Sequence, residues 1–182
     1  HLIAGGGAVD TVAGQLDAAV TEAVGRGAVD AALEIAAASV RATAVGAAPL
    51  TLIERHLTVA QLAFDAGNVD HLEAALTAAT AVIADVPGDD DSGDPADAAA
   101  WQDARERLAV LRVLRTVWTD DVAAGVRSAE AALGLVHDPA RRFRLHTIAM
   151  RLTQHSDVRL GAELADRYFG DDGDYGGTYR IF

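Results

Sequence analysis

Four times along the chain a Gly, Asp or Ser at a helix break is followed by Val and then by a run of small apolar residues. The stretches are Gly27-Ala28-Val29-Asp30, Gly67-Asn68-Val69-Asp70, Asp120-Asp121-Val122-Ala123 and Ser156-Asp157-Val158-Arg159, each leading into an alanine- or leucine-rich segment. A helix that ends, turns within a few residues and restarts at recurring intervals is the sequence pattern of stacked helical hairpins. Each hairpin leaves an apolar face that only a neighbouring hairpin covers. The expected fold class is therefore all-α: about eight helices as stacked antiparallel hairpins, in a small α-solenoid or layered bundle, with no β-sheet.

Composition agrees with that reading. Hydrophobic residues make 51% of the chain but aromatics only 5%, so the apolar content is mostly Ala, Leu and Val. Alanine loses no side-chain entropy in a helix and lets helix axes approach closely. Cysteine is absent, which removes disulfides, thiolate catalysis and Cys-ligated zinc together. With 182 residues the chain has the length of one domain, 1–182. No apolar run reaches the ~20 residues that span a bilayer, so no membrane is expected. The first residue is His rather than Met, so a trimmed or processed N-terminus and a cytoplasmic location are the expectations.

The net charge is −12, and all 15 basic residues are arginine. An acidic, lysine-poor surface suits a salt-adapted protein, and a GC-rich genome produces the same bias without physical cause. The charge is unevenly placed: residues 1–97 hold 3 Arg against 15 acids, whereas residues 98–168 hold 11 Arg against 9 acids. Such asymmetry steers acidic partners to the arginine-bearing part, or sets two copies head to tail.

Apolar spacing predicts helices over about 9–25, 28–45, 50–66, 69–85, 96–118, 121–136, 139–154 and 157–169. Pro49 and Pro139 suit first helical positions, and Asp138 suits a cap. Val12, Val117 and Phe143 are assigned to inward faces. The segment Leu2-Ile3-Ala4-Gly5-Gly6-Gly7 resembles the start of a dinucleotide site, but Asp10 stands where the third Gly belongs and no further strands follow. It reads as a flexible lead-in. The stretch 87–97, rich in Asp, Pro and Gly, is expected to be a mobile acidic loop. Residues 170–182 are expected to be a non-helical tail whose Tyr175, Tyr179, Ile181 and Phe182 dock on the last hairpin, a second copy or a partner.

The final hairpin, 143–169, resembles a tetratricopeptide repeat. Ile148-Ala149, Leu152, the turn Ser156-Asp157, and Gly161 with Ala165 fall in that family's spacing of large and small residues. Leu62-Ala63, Ala75, Ala79 and Pro87 lie on the same pattern more loosely, with Gly67 three residues early. The intervals between the four marker valines are 40, 53 and 36 residues, where that family repeats at about 34. The resemblance implies protein or peptide binding and carries no catalytic residue.

The motifs of common chemistries are missing. The six histidines, at 1, 56, 71, 137, 146 and 155, contain no i, i+4 pair and read as surface or helix-end residues. The acidic loop lacks the Gly and the distal acid of a calcium loop, so neither metal nor cofactor is expected. A Gly-x-Ser-x-Gly elbow and a lysine-ended phosphate loop are likewise absent. The densest basic groups are Arg105, Arg112 and Arg115, with Arg107 beside them, and Arg141, Arg142 and Arg144, with Arg151 further along. They are the candidate partner-binding residues. A chain of charge −12 repels phosphate overall, which disfavours nucleic acid. The leading expectation is a non-enzymatic helical interaction or scaffold domain that binds a protein, a peptide or its own copy. A ligand-sensing, dimerising helical bundle and an enzyme of unrecognised type are the alternatives.

Overall fold

A computed structural model describes residues 6–43, 47–86, 95–119, 121–154 and 157–169. They form α1 (Gly6–Gly25), α2 (Val29–Ala42), α3 (Pro49–Asp65), α4 (Val69–Ala84), α5 (Pro95–Arg115), a 3-10 turn (Thr116–Trp118), α6 (Val122–Leu133), α7 (Pro139–Thr153) and α8 (Val158–Phe169). No strand occurs among the described residues, and the fold is all-α. Val29, Val69, Val122 and Val158, the valines of the four breaks, are each the first residue of a helix. At three of the four the residue before the valine explains this register. Asn68, Asp121 and Asp157 accept the backbone N–H of His71 (3.1 Å), Ala124 (2.8 Å) and Leu160 (2.9 Å), satisfying donors that a helix start leaves open. Asp138 does the same for Arg141 at 2.8 Å, with Pro139 in the first turn.

Contacts divide the chain into two compact units, residues 1–111 and 112–182. In the first unit α1 packs on α2, α2 on α3 and α3 on α4. These helices form two hairpins that repeat with an offset of 40 residues. At the first turn the Ala28 N–H reaches back to the Ala23 carbonyl (3.0 Å) and the Gly27 N–H to Val24 (2.9 Å). At the second the Asn68 N–H reaches Ala63 (2.8 Å) and the Gly67 N–H reaches Phe64 (3.1 Å). Both are Schellman turns, and both need a glycine at positive φ, +74° at Gly27 and +68° at Gly67. The core follows the same offset: Ala13 and Ile53, Val20 and Ala60, Ala23 and Ala63, Ala32 and Leu72, and Ala36 and Leu76 are buried pairwise. The part of α5 up to Leu111 belongs to this unit, where Trp101, Ala104 and Leu108 are buried and Arg107 pairs with Glu54 of α3.

In the second unit α6 packs on α7 and α7 on α8. Small residues set the close approaches. A Cβ on Gly125 of α6 would stand 2.7 Å from Leu152 Cδ1 and 3.0 Å from Thr116 Oγ1. One on Gly161 of α8 would stand 2.9 Å from Thr153 Oγ1. The need for a small residue at 161, read from sequence, is thus a packing fact of this hairpin. Leu145, Ile148, Ala149 and Leu164 are buried here, and Arg167 of α8 pairs with Glu130 of α6 at 2.9 Å.

Several expectations need correction. α1 begins at Gly6, so the second and third glycines of the lead-in belong to the helix; N–H groups of a first turn have no helical partner, and glycine is tolerated there. α2 stops at Ala42, earlier than the apolar spacing suggested. Pro95–Asp97, the end of the expected acidic loop, opens α5, where Pro fits the first position and Asp97 faces the positive helix end. The helix over 96–118 gives way at Arg115 to a 3-10 turn of about three residues per turn, which rotates Val117 out to 47% exposure. Val12 and Phe143, assigned inward, are exposed. His146, read as a surface residue, is fully buried and stacks on Tyr168 with ring centroids 3.9 Å apart. Phe169 completes the cluster, edge-on to Phe143 at 5.8 Å. The acidic residues 87–94 and the tail with Tyr175, Tyr179, Ile181 and Phe182 lie outside the described residues.

Candidate functional site

α3 carries a polar stripe of Thr51, Glu54, Arg55 and Thr58, spaced i, i+3, i+4 and i+7, so one helix face presents all four. With Asp17, Val20 and Thr21 of α1 and Ala36 of α2, the stripe lines a cleft of about 400 Å³. Behind it lies a polar network joining three helices. Arg55 donates to the Asp17 carboxylate from Nη2 (2.9 Å) and Nε (3.2 Å), and from Nη1 to Thr43 Oγ1 (2.8 Å). Ser39 donates to the other Asp17 oxygen, and the Thr43 hydroxyl donates to the Ser39 carbonyl at 2.9 Å. The Arg55 side chain is only 12% exposed, and Ser39 is buried. A two-point guanidinium–carboxylate contact with one partner largely desolvated fixes geometry better than an exposed pair does.

The network departs from the hairpin repeat. Forty residues after Asp17 stands Leu57, and forty after Ser39 stands Ala79, both fully buried apolar residues. The second hairpin thus shows what these positions hold when they serve packing alone. The first hairpin replaces that core with a carboxylate and a hydroxyl, and a cleft opens beside them. Sequence reading missed this site because Asp17, Ser39 and Arg55 stand 22 and 16 residues apart on three helices. The signal available was the pair of polar residues at core positions of one repeat, joined to the stripe of α3.

The proposed arginines divide by structure. Arg142 donates from Nη1 to the carbonyls of Leu133 (2.6 Å) and Val136 (3.0 Å), tying α7 to the end of α6. Arg105, Arg112, Arg115 and Arg141 interact with other groups of the chain. Arg144 is exposed and has no ion-pair partner among the described residues, and the same holds for Arg151. These two stand seven residues apart on α7, on the same face as Ala140, Thr147 and Gln154, with all five at least partly exposed.

No three His, Asp or Glu side chains group as metal ligands among the described residues. The pKa of His56 is lowered from 6.5 because partial burial disfavours its charged form. No described helix is long and apolar enough to cross a membrane. Comparison of the chain with protein-family models, with curated proteins and with solved structures finds no match.

Proposed function

We propose that the chain is a non-enzymatic domain of helical hairpins that docks an acidic segment of a protein partner along the outer face of α7. The observation that carries this reading is the row of Arg144 and Arg151, two turns apart on one exposed helix face without carboxylate mates among the described residues. Five other arginines are engaged at home, Arg26 with Glu22, Arg55 with Asp17, Arg107 with Glu54, Arg159 with Glu163 and Arg167 with Glu130, whereas exposed Arg41 and Arg127 stand singly on α2 and α6 and make no row. Guanidinium groups left solvated in a chain of charge −12 suit bidentate capture of carboxylates. The tetratricopeptide resemblance of the last hairpin points to the same class of function. A photo-reactive side chain at Thr147 should yield one cross-linked species in an extract of the source cells. Arg144→Glu with Arg151→Glu should abolish it while leaving the helical circular dichroism intact. An adduct of twice the chain mass would make the partner a second copy; an adduct that survives the double charge reversal would sink the reading. The cleft of the first unit supports a second reading, a ligand-sensing helical domain.

A further inference from the structure

We propose that the cleft between α1 and α3 binds a small organic cation bearing N–H donors, an alkylammonium or guanidinium group. The inference rests on the ligand-sensing reading and is independent of the arginine row on α7. Its first support is the hydrogen-bonding sense of the walls. Thr21 donates its hydroxyl proton to the Asp17 carbonyl (3.2 Å) and Thr58 to the Glu54 carbonyl (2.9 Å), one turn back on their own helices. Towards the cleft these hydroxyls offer lone pairs. The Glu54 carboxylate, 46% exposed, offers more acceptors. A surface so rich in acceptors matches a ligand rich in donors.

The second support is the sign of the charge. Among the described residues, the guanidinium of Arg55 is the only cation lining the cleft, and it is held against Asp17 and Thr43. Arg107 neutralises Glu54 from α5, but it also lies 3.8 Å from Asp103. The two carboxylates that line the cleft stand in a segment where residues 1–97 hold 15 acids and 3 Arg. The local field attracts cations and repels anions. The third support is size. About 400 Å³ lies in the range of small-molecule pockets and greatly exceeds what a bare metal ion needs. The Asp17 oxygens, moreover, already accept three hydrogen bonds. Val20 and Ala36 give the walls an apolar part against which the methylene chain of an alkyl amine can lie.

The same chemistry occurs on free amines and on Lys or Arg side chains of peptides, and one titration distinguishes them. The full chain, labelled with nitrogen-15, is titrated at constant ionic strength with 1,4-diaminobutane, agmatine, a capped Arg-containing tripeptide, tetramethylammonium, glycerol and acetate. The expected result is saturable shifts of the Thr21, Glu54 and Thr58 amides with diaminobutane or agmatine and none with tetramethylammonium, which has no N–H donor. The affinity should fall at least tenfold in Glu54→Gln. Tighter binding of the tripeptide would place the cation on a polypeptide. Thr58→Val, which removes a hydroxyl acceptor without touching a charge, should weaken binding severalfold and controls for any loss of fold in the glutamine variant. Equal shifts with tetramethylammonium, or unchanged affinity in both variants, would overturn the proposal. Shifts at the same amides with glycerol or acetate alone would overturn it while leaving a ligand site; silence from every probe would remove both.

Discussion

Glycines in these helices have opposite meanings at different positions, and the same substitution separates them. Gly14 sits in α1 with nothing within 4 Å of where a Cβ would stand, so Gly14→Ala gains the helix preference of alanine, about 1 kcal/mol. Gly161 sits in α8 with the Thr153 hydroxyl 2.9 Å from the equivalent point. That hydroxyl is fully buried and donates to the Met150 carbonyl at 2.8 Å, so it cannot turn away without losing its bond. Overpacking costs about 1–3 kcal/mol, enough to cancel or exceed the helical gain. Gly14→Ala should raise the melting temperature and Gly161→Ala should lower it. Thr153→Ala combined with Gly161→Ala should show favourable coupling, since the second change removes the clash. Calorimetry on the four variants checks all three outcomes; a stabilised Gly161→Ala would mean that α7 and α8 are not held as close as described.

At the scale of elements, the two hairpins of the first unit test one another. The helix after the second turn is capped by the Asn68 side chain, whereas Ala28 at the equivalent position has none to offer. Backbone angles at the two sites are close, φ −88° and ψ 67° at Ala28 against φ −92° and ψ 90° at Asn68. Ala28→Asn should therefore stabilise the chain by about 1 kcal/mol, read as a shift in the urea midpoint with unchanged slope. A neutral result would show that α2 does not begin where Val29 places it. The same comparison says what was legible in the sequence. Turns were legible because glycine at positive φ and a capping side chain are local requirements, so Gly67-Asn68-Val69 announces itself. Val117 was misplaced because a 3-10 turn changes the period without changing the composition. His146 was misplaced because its burial depends on Tyr168, 22 residues away on another helix. The cleft was illegible for a related reason: Asp17, Ser39 and Arg55 meet only once three helices have packed. A polar residue on an alanine-rich helix looks the same whether it faces water or a neighbour.

For the whole molecule, charge is the quantity that matters. A chain of −12 with 15 acids among its first 97 residues repels itself at low ionic strength. Ion pairs such as Arg26 with Glu22, Arg159 with Glu163 and Arg167 with Glu130 are exposed, so they offset little of that repulsion. The melting temperature should rise as salt is added from tens of millimolar to molar, with most of the rise below about 0.5 M as the screening length falls under ~5 Å. A flat response across that range would show that the acidic bias does not act on stability and would favour genomic drift as its origin.

The 40-residue offset between the two Schellman turns also bears on how such a chain can change in length. Within the first unit the joint between hairpins is made by α2 against α3, the second helix of one copy meeting the first helix of the next. A further copy inserted at that joint would present the same two kinds of face to its neighbours, so growth by a whole hairpin preserves the packing pattern where growth by a few residues would break it. The first unit is thus built in steps of one hairpin, and the hairpin is the unit in which its packing is counted.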